Sequence, residues 1–107
     1  MKIRISDQSL RVRLSKEEAI QLHAGSTITT ELRLNTIDVF AIELCSWNLT
    51  IAEIHFEDNH MLISIPMEAA QQIAITPGYT YLFDAFGDAK DAMNLAVEID
   101  FEKAPHT

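Results

Sequence analysis

The segment Ile5–Leu22, ISDQSLRVRLSKEEAIQL, has an echo later in the chain at Phe56–Ile73, FEDNHMLISIPMEAAQQI. Asp7 falls on Asp58, Glu17 on Glu68, Ala19 on Ala70 and Gln21 on Gln72. The apolar positions Ile5, Leu10, Val12, Leu14, Ala19 and Leu22 fall on Phe56, Met61, Ile63, Ile65, Ala70 and Ile73. A second match follows in the same order, Leu95-Ala96-Val97-Glu98-Ile99 on Phe40-Ala41-Ile42-Glu43-Leu44. Together they point to an internal duplication, with pseudo-repeats over about 2–45 and 50–102. One such half would bury too little to stand alone, so the two must share a core.

Local patterning gives each half its elements. Lys2–Ser6 and Leu10–Leu14 alternate polar and apolar residues, the period of half-buried strands. The short polar link Asp7-Gln8-Ser9 predicts an antiparallel hairpin. Ser15 and Glu18 have capping-box spacing for a short helix, which Gly25 ends. Thr27–Leu34 and Ile37–Cys45 read as strands joined by a turn at Asn35-Thr36, with Ser46-Trp47-Asn48 as a break. Leu49–Phe56 is the next strand, with Ile51, Ile54 and Phe56 as core candidates. Asp58-Asn59 then makes a turn to Met61–Ile65, and Pro66 opens a helix over Glu68–Ala74. Tyr79–Phe83, a polar loop at Asp84–Asp91, a strand at Ala92–Phe101 and a frayed tail at Lys103–Thr107 complete the chain. The expected fold class is α+β in a single domain over 1–107. In it, a duplicated ββαββ unit forms a largely antiparallel eight-stranded curled sheet or barrel with two short helices.

Charge narrows the function classes. The formal net charge is −8 over 107 residues, which argues against a nucleic-acid partner, since phosphate neutralisation supplies most of that affinity. The basic residues are uneven, with Lys2, Arg4, Arg11, Arg13, Lys16 and Arg33 in the first third and none from Leu34 to Ala89. No apolar run approaches the roughly 20 residues of a membrane span, so no membrane partner is expected. The opening residues carry charges throughout and do not read as a secretory signal. The single cysteine, Cys45, fits a reducing compartment, and the expected location is cytoplasmic.

Candidate chemistry is sparse. His23, His55, His60 and His106 have no partner at a recognised ligand spacing, so no metal site is expected, although His55 and His60 flank a turn with Glu57 and Asp58. Glu43 and Glu98 each interrupt an apolar strand at matched positions. Facing each other across a pseudo-twofold axis, they would form a carboxylate pair fit for acid–base work. Simple outward alternation, or pairing with Arg33 or Lys90, is the favoured reading. Cys45 reads as a small packed residue, and Trp47 as core or rim packing. Gly-rich phosphate loops, nucleophile elbows and zincin motifs are missing, so catalytic residues and cofactors are assigned as none. The leading expectation is a small, soluble, non-catalytic protein-interaction or self-association module, binding a protein partner or forming a homo-oligomer. The alternative is a phosphate- or nucleotide-binding barrel, of the simple binding or the hydrolytic kind, with Arg4, Arg11, Arg13 and Arg33 as the anion-binding residues.

The opening MKIRISDQSLRVRLSKEEAIQL, the span Phe56-Glu57-Asp58-Asn59 to Pro66 and the ending Val97-Glu98-Ile99-Asp100-Phe101 resemble a family of small uncharacterised bacterial proteins. That family shares a K-I-R strand, an S-L-R-x-R-L-S/T stretch, an F-x-D-N segment leading to a proline, and a V-E-x-D-F end. The chain departs from it at Ile99, where the family tends to carry Lys, and beyond Phe101, where it tends to carry Cys. The resemblance implies no known activity. The duplicated plan is also similar to that of tunnel-shaped triphosphate-binding barrels. However, the positions matching Lys2, Arg4, Arg11 and Arg13 are Glu53, His55, Leu62 and Ser64, which would leave half of such a lining without cations.

Overall fold

In the computed structural model, which describes residues 1–84 and 93–100, the chain begins with the hairpin its alternation dictates. Lys2–Ser6 (β1) and Ser9–Leu14 (β2) pair antiparallel, with Leu10, Val12 and Leu14 turned inward and buried. Ser15 then caps Lys16–His23 (α1). Its Oγ accepts from Glu18 N–H at 3.1 Å, and Ser15 N–H donates to Glu18 Oε1 at 2.9 Å, completing the box. Gly25, at φ 104°, ends the helix as expected. Gly25 N–H donates to Leu22 O and Ser26 N–H to Gln21 O, the two bonds of a Schellman motif. Ile28–Arg33 (β3) and Val39–Trp47 (β4) follow as an antiparallel pair, then Glu53–Glu57 (β5) and His60–Pro66 (β6). Asp58 and Asn59 both take positive φ, the backbone of a type I′ hairpin turn. Met67–Ile75 (α2), Thr80–Asp84 (β7) and Asn94–Ile99 (β8) complete the described chain.

The sheets correct the expected architecture. There is no single eight-stranded, largely antiparallel sheet, and no closed barrel among the described residues. The eight strands form two four-stranded mixed sheets, ordered β1-β2-β8-β7 and β3-β4-β6-β5. Each sheet takes one hairpin from the first half of the chain and one from the second, joined by a parallel pair, β2 with β8 and β4 with β6. Alternation fixes which face of a strand is buried but not which distant strand lies beside it. Among the described residues closure fails at two corners, where a side-chain hydrogen bond stands in place of a ladder. At one, Thr30 Oγ1 donates to Met1 O at 3.2 Å; at the other, Ala52 N–H donates to Tyr81 Oη at 3.2 Å.

Both sheets and both helices feed one core. It holds Leu10, Val12, Leu14, Leu95 and Val97 from the first sheet, and Ile42, Leu44, Ile63 and Ile65 from the second. Ala19 and Leu22 of α1 and Ala69, Ala70 and Ile73 of α2 close over them, and the small alanines let the helices pack against each other. Each large apolar side chain buried here contributes about 1.5–3 kcal/mol.

Several boundaries also differ from expectation. β4 runs on through Ser46 to Trp47 where a break was expected, because the parallel partner β6 extends alongside to Pro66. The strand expected from Leu49 starts only at Glu53, which leaves Ile51 exposed; Phe56, on the same strand, is 60% exposed with its ring 5.9 Å from that of Phe40. Of the three core candidates in this strand, only Ile54 packs against the core. α2 starts at Met67, one residue before the expected Glu68, with Pro66 at its N-cap in the place that Ser15 holds before α1, as expected. The expected polar loop beyond Asp84, the tail and Phe101 lie outside the described residues.

Candidate functional site

The same alternation that buries Leu10, Val12 and Leu14 turns Arg11 and Arg13 to the outer face of the first sheet. The hairpin register sets Lys2 opposite Arg13 and Arg4 opposite Arg11. Four cations thus stand side by side on two adjacent strands, an arrangement that repels itself unless counter-charges are supplied. The parallel pairing supplies one, by placing Glu98 opposite Arg13 and Ala96 opposite Arg11. Glu98 Oε2 accepts from Arg11 Nη1 at 2.8 Å and Arg13 Nε at 3.0 Å, while Oε1 accepts from Thr80 Oγ1 at 2.8 Å. Lys2 Nζ lies 2.8 Å from Asp100 Oδ2. Arg4 makes no ion pair among the described residues and projects into solvent.

Glu98 is a counter-ion. Burial would raise its carboxyl, but the hydrogen bonds from Thr80 and Arg11, the Arg11 charge and the Arg13 bond outweigh it and hold the group below the usual carboxylate range. It stays ionised at neutral pH with three donors engaged, so it does not carry protons. Beside it, a recess of about 420 Å³ is lined by Lys2, Ile3, Arg4 and Arg13. Its described lining holds three cations and no carboxylate. A neighbouring recess of about 400 Å³ shares Arg13 but is walled by Glu98 and Asp100. Arg4 is the cation of this face with no ion pair among the described residues, beside Lys2, Arg11 and Arg13 that Asp100 and Glu98 hold.

The structure gathers three of the four expected arginines. Arg4, Arg11 and Arg13 share one outer face, whereas Arg33 lies at the end of β3 on the second sheet. The second sheet's outer face carries Glu31, Glu43, Glu53 and Glu57 around a centre of small residues. In that centre Cys45 Sγ and Ser64 Oγ are 3.4 Å apart, both buried, as expected of a packed thiol. Glu43 and Glu98 point outward by alternation, but on different sheets, so they form no carboxylate pair. Glu43 Oε1 lies 3.2 Å from His60 Nε2, not beside Arg33. Lys90, the other partner considered for these carboxylates, is outside the described residues. Their matched positions also slip in register, since Glu98 stands opposite Arg13 and Glu43 opposite Leu62. His55 Nε2 is 3.8 Å from Glu53, and no group of three or more metal-binding side chains gathers among the described residues. Trp47 is exposed and not packed in the core.

One ionic site had no sequence signal beyond the helix cap. Met1's ammonium donates to Glu18 Oε2 at 2.7 Å, so one carboxylate serves both the capping box and the amino group. Burial would raise Glu18, but bonds from the ammonium and Ser15 together with the ammonium charge hold it low. Among the described residues, no helix is long and apolar enough to cross a membrane.

Comparison with known proteins adds the chain's membership. A family model described as a family of unknown function (DUF7009) matches residues 1–104. The chain belongs to this family. As the sequence resemblance implied, it is an uncharacterised one. No curated protein and no solved structure matches the chain. For this member of DUF7009, the site must therefore be read from its own geometry.

Proposed function

We propose that the protein is a non-catalytic protein-interaction module, and that the outer face of its first sheet docks an acidic protein surface. The observation that carries this reading is the four-cation array of Lys2, Arg4, Arg11 and Arg13, set in register on one rigid hairpin. Ladder hydrogen bonds and the Glu98 network hold the array, so little ordering entropy is lost when a partner's carboxylates arrive. In a chain of net charge −8, a local basic face also steers approach by one orientation. The likeness of the two halves supports a duplicated ββαββ ancestry, in which the second copy kept the scaffold and lost the arginines. A cytoplasmic, reduced setting fits the lone buried thiol.

A second reading is a phosphate or nucleotide site, favoured by the recess between Lys2, Arg4 and Arg13. Thermal shift against two probes separates the readings. An oligoglutamate peptide should stabilise the protein, and the double variant Arg4→Glu, Arg11→Glu should lose that response. Stabilisation by tripolyphosphate or a nucleotide, without a response to the peptide, selects the phosphate reading. Silence with both probes contradicts the docking face.

A further inference from the structure

The two outer faces are opposite in charge and similar in build. The first sheet presents Lys2, Arg4, Arg11 and Arg13 against Glu98, with Ala96 at its centre and Leu82, 70% exposed, beside it. The second presents Glu31, Glu43, Glu53 and Glu57 against Arg33, with Ala41, Cys45 and Ser64 at its centre and Leu62 beside them. Ala96 on the first face and Ala41, Cys45 and Ser64 on the second are short, which leaves room for the longer side chains beside them, Glu43 and Leu62 among these, to meet a facing copy. We propose that the acidic outer face of the second sheet, on a second copy of this chain, occupies the basic outer face of the first sheet. This rests on the docking-face reading and names its partner.

Like-on-like pairings are disfavoured, because the first sheet against itself sets one net-positive face, four cations around Glu98, against another, and the second sheet sets one net-negative face, four carboxylates with Arg33, against another. Only the unlike pairing is complementary. Such a contact is heterologous, so copies add head to tail instead of closing as a symmetric dimer. Four strands about 4.8 Å apart and six residues long cover roughly 400 Å² per copy, about 800 Å² in all, which is the size of a weak and reversible contact. The net charge of −8 on each copy opposes approach at distance, but physiological salt screens it beyond about 8 Å and leaves the contacting faces to decide.

Sedimentation velocity at 150 mM salt and rising protein concentration tests this. The wild-type chain should shift from monomer to larger species as concentration approaches the millimolar range. Arg4→Glu with Arg11→Glu, which reverses the basic face, should weaken association at least tenfold. Glu53→Lys with Glu57→Lys, on the acidic face, should do the same. Circular dichroism checks that each variant is folded, and any that is not is replaced by its Gln counterpart. Mixing the two charge-reversed variants should restore association, since each then offers the face the other lacks. A wild-type chain monomeric at millimolar concentration, variants that associate like wild type, or a mixture that stays monomeric would each overturn the proposal. A wild-type chain that does not self-associate but still binds oligoglutamate rejects this partner alone, whereas a wild-type chain that does neither rejects the docking face as well.

Discussion

The two sheets share a plan and differ at one spot that separates scaffold from function. Each is a four-stranded mixed sheet with a central parallel pair and an antiparallel strand on either side. Where the first sheet sets Arg13 opposite Glu98, the corresponding place in the second sets Ser64 opposite Cys45. One is a charge network in which Arg11, Arg13 and Thr80 reach Glu98 and Lys2 reaches Asp100. The other is a small neutral contact at 3.4 Å. The same backbone pairing is therefore held in one sheet without any charge at this place. This pairing of strands does not require the charge network, and of the four cations Arg4 is the one with no ion pair among the described residues.

The largest effect should come from the layer the sheets share. Val12→Ala and Ile63→Ala remove buried side chains at matched places in the two sheets, and each should cost about 1–4 kcal/mol in urea denaturation. A variant of either costing nothing would break the equivalence of the two sheets. The outer faces should diverge. Glu98→Gln leaves Arg11 and Arg13 without their counter-ion and should cost about 1–2 kcal/mol, whereas Ser64→Ala, which loses one weak contact to sulfur, should cost under about 1 kcal/mol. Similar costs for the two would mean that the Glu98 network adds no more stability than the neutral Ser64–Cys45 contact.

Acid sharpens the same contrast. The Glu98 and Glu18 carboxyls are held below their usual values in the folded chain, so the stability they contribute is present above the ordinary carboxylate range of about 4.3 and is lost as pH falls through their lower folded values. Glu98→Gln should therefore flatten the fall in thermal stability below about pH 4, while Ser64→Ala leaves its steepness unchanged. An unchanged slope in Glu98→Gln would show that the arginines do not hold that carboxylate ionised. The smallest effect belongs to the hairpin turns. Asn59→Gly relieves a positive φ of 61° and should stabilise by a few tenths of a kcal/mol up to about 1, read as a rise in Tm.

What the sequence made legible was local. The hairpins, the Ser15 capping box, the Gly25 helix end and the Asp58-Asn59 turn all depend on residues within a few positions of one another. So did the outward placement of Arg4, Arg11 and Arg13, which period-two alternation alone supplies. The partner of each hairpin was not legible, because β2 meets β8 across most of the chain and no spacing encodes that choice. Two errors about the site follow from it. Glu98 could not be named as the counter-ion of Arg11 and Arg13, and Arg33 was grouped with arginines that lie on another sheet. Matching FAIEL to LAVEI also misled, because a two-residue difference in register puts Glu98 where the second sheet has Cys45.

The docking face of the first sheet is tested most directly by amide chemical-shift mapping of the folded protein during titration with an oligoglutamate peptide at physiological salt. The account predicts saturable shifts confined to β1, β2 and the neighbouring part of β8, which disappear in the Arg4→Glu, Arg11→Glu variant. Shifts centred on the second sheet, or shifts that persist in that variant, would contradict it.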